Sequence, residues 1–238
     1  MTDERNSGQI PFDSISRSYF LIRTFVGICG LALPAILLIG ERWLDDAEIA
    51  TRGSLSAYYH SGVRDIFVSI LAVVGILLFT YKITERNRDN SLSIIAGVAA
   101  IGVAIFPTGI PSVVDARLTP LQNRLGEDRT EFIHFTCAFV FVVSLGVLCW
   151  DFANRERKRS QKRDGHDAQL PPTLWYSFHL TMAIAILCAV VFIGLTQWLG
   201  FFDQHSILIG ETVVTVAFGL SWLLKGLDLK VLPRMTNW

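Results

Sequence analysis

Three groups of ionisable side chains stand where a strongly apolar chain has little reason to place them. Ser56, Tyr58, Tyr59, His60, Arg64 and Asp65 come just before one apolar stretch. Glu131 and His134 open another, at an i, i+3 spacing that puts both on one helical face. Glu211 lies five residues beyond Ser206, inside a third. Two histidines with carboxylates suit zinc, which takes three protein ligands in catalytic sites and keeps a position for water. His60, His134 and either Asp65 or Glu211 would supply that set. Ser56, one turn before His60 if the segment is helical, would orient the water or an oxyanion. Ser56, Asp65 and Glu211 are then the catalytic groups of a hydrolase.

Without a metal the same side chains make a binding site. Arg64 would grip an anion, while Glu211 and Asp65 hold its cation or a proton. Ser56, Tyr59, Arg64, Asp65, His134 and Glu211 would line this pocket, with His60 and Glu131 at its border. Each residue also has a plain structural role. A histidine at a membrane border bonds a carbonyl, Glu211 pairs with Arg64, and Asp65 pairs with a loop arginine. No HExxH, HxxxH or CxxC occurs, so any metal site must be assembled from distant single residues.

The elements that must position these groups are six apolar stretches, at 24–39, 66–81, 92–110, 132–150, 174–199 and 206–224. Each approaches or exceeds the roughly 20 residues a helix needs to cross about 30 Å of hydrocarbon. Backbone polar groups in lipid must be satisfied internally, which selects helices. The sequence therefore predicts an all-α membrane protein. A bundle of six transmembrane helices over 21–226 lies between tails 1–20 and 227–238. Mean hydropathy of +0.44 and a charged fraction of 18% agree, the latter against roughly 25% in soluble domains. With 21 basic and 21 acidic residues, the chain offers no nucleic-acid footprint. Cys29, Cys137, Cys149 and Cys188 all fall in apolar stretches and read as buried small hydrophobes, with no disulfide framework. The N-terminal residues lack the pattern of a cleavable signal peptide, so the first helix is expected to act as an uncleaved start-transfer segment.

Lysine and arginine are retained on the cytoplasmic side of short loops. One side collects 15 of them: Arg5, Arg17, Arg23, Lys82, Arg86, Arg88, the six of a loop over 155–163, Lys225, Lys230 and Arg234. The other holds Arg42, Arg52, Arg64, Arg117, Arg124 and Arg129. Both termini are expected in the cytoplasm. Residues 171–172 (Pro-Pro) stop the basic loop, and Trp175, Tyr176 and Trp198 mark the two borders of the fifth helix.

With that orientation the second, fourth and sixth helices all begin on the outer side. Their polar first turns share one depth. The second helix has only 16 apolar residues, about 24 Å, so it should start earlier and draw Ser56 to Asp65 to the outer border. The third ends at Pro107, Thr108, Gly109, Ile110 and Pro111, a broken turn that exposes carbonyls.

Two resemblances add to this reading. Ser56, His60 and the aspartate that follows resemble the superfamily of alkaline ceramidases and progestin/adipoQ-type receptors. That likeness implies zinc and lipid hydrolysis, although here the last helix carries Glu211 where those proteins carry a histidine pair. A likeness over nearly the whole chain rests on Ser54 to His60, Arg64 to Val68, Ala96–Gly97, Phe106 to Thr108, Ile133 to Phe135, Glu211, Ala217 to Trp222 and Lys225–Gly226. In these the chain resembles a family of uncharacterised six-helix bacterial membrane proteins. It is distantly similar to domain-of-unknown-function 998 and to the Frag1/DRAM/Sfk1 group. This likeness implies a multi-pass address in a bacterial inner membrane and no settled activity. Three functions follow: a protein that binds a membrane lipid headgroup or small polar ligand with no cofactor, a zinc-dependent membrane lipid hydrolase, and a proton-coupled transporter. Oligomeric state stays open, as does whether Arg64 pairs with Glu211 or with a neighbouring subunit's Asp65.

Overall fold

The computed structural model describes residues 12–44, 51–80, 88–111, 117–163 and 174–226. Among them are seven α-helices and no strand. These are α1 (Phe12–Leu44), α2 (Arg64–Thr80), α3 (Arg88–Ile105), the short α4 (Pro120–Leu125), α5 (Glu127–Arg163), α6 (Leu174–Leu199) and α7 (Asp203–Gly226), with a 3₁₀ turn at Ser56–His60 between α1 and α2. Four segments are long and apolar enough to cross a membrane: Phe20–Leu44, Glu127–Ser160, Leu174–Leu199 and His205–Lys225. The 17-residue α2 rises about 26 Å, and the apolar part of α3 is Asn90–Ile105.

The six long helices pack in a ring in the order α1, α2, α3, α5, α6, α7, which closes on α1. Its seam is thinnest between α1 and α2. At one end, the "terminal end", Arg23 of α1 donates to the Lys225 carbonyl of α7 at 3.2 Å. The opposite "turn end" carries Ser56–His60, tied to α7 where the Leu208 N–H donates to the Gly53 carbonyl at 2.9 Å.

Close helix approach depends on small residues, because apolar side chains gain little by leaving lipid for each other. A Cβ on Gly219 would lie 2.8 Å from the Gly27 carbonyl oxygen, which brings α7 against the backbone of α1. A Cβ on Gly97 would lie 2.5 Å from the Gly75 oxygen, and does the same for α3 and α2. Inside the ring, Leu37, Leu78, Leu145, Leu148, Phe152, Ile186 and Trp222 form the core. Outward residues such as Phe132, Phe139, Leu187 and Trp198 are exposed, as lipid-facing side chains would be.

The helices differ from expectation mainly at their ends. α1 begins inside the segment read as an N-terminal tail, and residues 1–11 and 227–238 lie outside those described. The basic run 155–163, read as a loop, continues α5 as helix to Arg163. Arg, Lys, Glu and Gln are good helix formers, and Glu156 pairs with Arg159 one turn on at 3.2 Å. Residues 171–172 are outside the described part. α2 does not extend back through Ser56: it starts at Arg64, and the preceding segment folds separately as the buried 3₁₀ turn.

Candidate functional site

The broken end of α3 organises the turn end. After the last helical bond, from Phe106 N–H to the Gly102 carbonyl, proline forces the chain out and frees carbonyls. Side chains from three other segments meet the freed groups. His134 Nδ1 bonds the Phe106 carbonyl at 2.7 Å. His60 Nε2 bonds the Thr108 carbonyl at 2.9 Å, and Gln122 Nε2 donates to the same oxygen at 3.2 Å. The Ile110 N–H donates to Glu127 Oε1 at 3.0 Å. Gln122 is fixed in turn by a capping box with Thr119 at the start of α4.

Glu211 projects from the first turns of α7 under the 3₁₀ turn. Its Oε2 accepts from the Leu55 N–H at 2.5 Å and its Oε1 from the Ser56 hydroxyl at 3.2 Å. Ser54 Oγ lies 3.3 Å from Ser56 Oγ and accepts from the Ala57 N–H, so the turn is knitted by its own serines. Glu211 and Ser56 line a cavity of about 60 Å³ in the middle of the ring, together with His134 and Thr215. The rest of its wall is apolar, including Leu33 of α1, Phe67 and Leu71 of α2, Val103 of α3 and Phe141 of α5. Only α6, of the six long helices, supplies nothing to it.

His134 is 0% exposed, and its Nε2 has no hydrogen-bond partner. Because a carbonyl only accepts, Nδ1 carries the proton, and the neutral ring presents Nε2 as an acceptor. A buried polar atom left unpaired costs roughly 1–3 kcal/mol by mutational measures.

The expected pocket is thus only partly assembled. Ser56, His134 and Glu211 come together. Asp65 is exposed: the cavity-lining side of α2 is Phe67 and Leu71, and Asp65 points away from it at 100° per residue. Arg64 is also exposed, and pairs with neither Glu211 nor Asp65. Its Nη2 donates to the Tyr59 hydroxyl at 3.0 Å, with the guanidinium 4.5 Å from the ring centroid. Tyr59 itself is buried outside the cavity lining. Glu131 is half-buried beside Gly109, where an added Cβ would meet its carboxylate oxygens at 2.9 Å. Of the expected zinc set of His60, His134, Asp65 and Glu211, only His134 and Glu211 line the same cavity. His60 is spent on Thr108, Asp65 faces out, and among the described residues no three His, Cys, Asp or Glu side chains gather closely enough to hold a metal.

One buried and one partly buried ionic link were not anticipated. At the turn end, Arg52 and Glu41 meet through two bonds to one carboxylate oxygen, Nε at 2.6 Å and Nη2 at 2.5 Å, with both residues buried. At the terminal end, Lys225 of α7 binds Glu156 of α5. The signal for Glu41 was there to be used: an acid near the end of an apolar helix calls for a cation, and Arg52 follows eleven residues on in the sequence. His179, set apart from the site, bonds Ser221 at 2.7 Å within the aromatic group of Phe152 and Trp222. No protein-family model, no curated protein and no solved structure matches the chain.

Proposed function

We propose that the chain is a six-span membrane protein, cytoplasmic at both ends and seated in a bacterial inner membrane, whose central cavity binds an amphiphile of the bilayer without transforming it. The carrying observation is an apolar cavity with a fully buried His134 whose Nε2 lacks a partner. Pockets that take small molecules are mostly apolar with a few placed polar groups, and this one has Ser56, His134 and Glu211 as its polar side. At 10–15 Å³ for each water-sized group, about 60 Å³ holds roughly four to six, enough for a headgroup and the first carbons of a chain. The thin seam between α1 and α2 runs beside Leu33, Phe67 and Leu71, and is the side from which a chain would enter laterally. Four helices of spanning length support the membrane address, and the 17-residue α2 and 18-residue α3 supply the remaining two crossings. The 15-to-6 division of basic residues supports the orientation.

The test is native mass spectrometry of protein extracted in mild detergent, wild type beside Ala138→Phe, which fills the cavity from α5. Co-purifying lipid on the wild type and its loss in the variant is the expected result. Identical, lipid-free masses for both would refute the binding reading. Elemental analysis of the same material addresses hydrolysis: stoichiometric zinc that disappears in His134→Ala would bring the metal enzyme back.

A further inference from the structure

The cavity's polar groups are all acceptors, and this selects the chemistry of what they meet. Ser56 gives its proton to Glu211 Oε1 at 3.2 Å. Thr215 gives its own to the Glu211 and Thr212 carbonyls at 3.0 and 3.1 Å. His134 donates through Nδ1 to Phe106, which leaves Nε2 as a lone pair. Glu211 receives donors on both oxygens, from the Leu55 N–H and the Ser56 hydroxyl, and the Ser56 N–H is directed at the same carboxyl group. No described cation forms an ion pair with it: Arg64 stacks on Tyr59, Arg52 is bound to Glu41, and Lys225 sits at the opposite end with Glu156.

An intramembrane carboxylate without a cation is costly, and such groups mark ligand or ion sites. An anionic headgroup would face that charge and two acceptors with no donor in return. We propose that the cavity recognises a primary ammonium on an apolar chain, its three N–H donors shared between Glu211 and His134 Nε2 and its first methylenes against Leu33, Phe67, Leu71 and Val103. This rests on the amphiphile-binding reading above and reverses the sequence-based expectation that Arg64 grips an anion. Charge-assisted hydrogen bonds are about twice as strong as neutral ones, so headgroup charge and not chain length should dominate selectivity.

The experiment uses full-length protein in a neutral maltoside detergent and three probes with one chain: dodecylamine, dodecanol and dodecanoate. Binding is read by thermal protection and by tryptophan fluorescence. Dodecylamine should bind about tenfold or more tightly than dodecanol, with dodecanoate weakest. Glu211→Gln keeps the shape and an acceptor for the Leu55 N–H; it should lose about tenfold in amine affinity while dodecanol stays within about threefold. His134→Phe should weaken both, and Ala138→Phe should abolish all three. A short-chain phosphatidylethanolamine arm identifies the source: protection by it points to a lipid headgroup, protection by dodecylamine alone to a free amine. Amine binding unchanged in Glu211→Gln, or a preference for dodecanoate, overturns the ammonium assignment and leaves the cavity an amphiphile site. Failure of every probe to bind overturns both.

Discussion

Removing Arg52 gives the sharpest test of how the turn end is held. Arg52 is 2% exposed and Glu41 is 4% exposed, so neither charge can fall back on water. Nε and Nη2 both reach Glu41 Oε1, Nη1 lies 3.5 Å from the Ala57 carbonyl, and the cation sits 5.7 Å from the Tyr58 centroid. Arg52→Met keeps most of the volume but strands the Glu41 charge and frees the Ala57 carbonyl. Breaking a buried pair from one side costs about 3–5 kcal/mol. For a chain of this size about 1 kcal/mol moves Tm by roughly 2–4 °C, so the single variant should fall by about 6–20 °C. Replacing both charges with apolar residues of similar size is often neutral or stabilising. Glu41→Met with Arg52→Met should therefore recover most of the loss.

The assay is a double-mutant cycle on Tm in one detergent at one scan rate, since heat unfolding of such a protein is commonly irreversible and its Tm depends on rate. The Arg52 loss and its rescue are the two readings that count. If Arg52→Met unfolds within about 2 °C of wild type, or the double variant falls by the sum of the singles, the pair is not the clamp described here.

Tyr58 tests the same region by pH. Burial pushes its phenol above the ordinary 10.0, Glu41 pushes it further, and an Arg52 backbone hydrogen bond with the Arg52 and Arg42 charges opposes them. The folded state thus holds this proton more tightly than the unfolded chain. The stabilisation is whole below the unfolded value and is lost as pH rises through the folded one. Tm should fall in alkali above about pH 10, and Tyr58→Phe should flatten that fall; a Tm–pH series checks it. Gly97→Leu places a Cβ 2.5 Å from the Gly75 oxygen and 2.6 Å from the Phe79 nitrogen, backbone that cannot yield, so α3 must leave α2. Overpacking of this kind costs about 1–3 kcal/mol or more, visible as lost monodisperse yield in size-exclusion chromatography.

The helices were legible because lipid permits so little else. Each apolar stretch overlaps one of the six long helices described, and α6 was placed at both ends. The ends were less legible where polar sequence continues a helix. Residues 155–163 read as a charged loop by composition, yet every residue there is compatible with helix and α5 runs on through them. Hydropathy also has no way to tell a short helix that begins early from one preceded by an independent turn. Burial of Ser56, Tyr58 and Tyr59 and the Glu211 bonds to Leu55 and Ser56 hold the 3₁₀ turn, and both belong to the assembled ring.

The candidate site shows the same division more finely. Apolar periodicity fixes the depth of a polar residue, and with care it also fixes the direction. On α5, His134 lies in the row of Ala138, Phe141, Val142 and Leu145. On α7, Glu211 lies in the row of Val214, Thr215, Phe218 and Trp222. Both rows face the ring, and both residues reach the cavity. On α2 the row is Phe67, Leu71, Val74 and Leu78, which sets Asp65 on the far side, so the wheel alone argues against including it. What periodicity leaves open is the partner. Glu211 and Arg64 are opposite charges at one level, and pairing them is the natural inference. The turn intervenes, because the Leu55 N–H has no partner within its own short helix and a carboxylate from α7 satisfies it at once. That choice leaves the carboxylate hydrogen-bonded but with no described cation, and the unpaired Nε2 of His134 on the same cavity wall is what turns a packing defect into a specification for a donor.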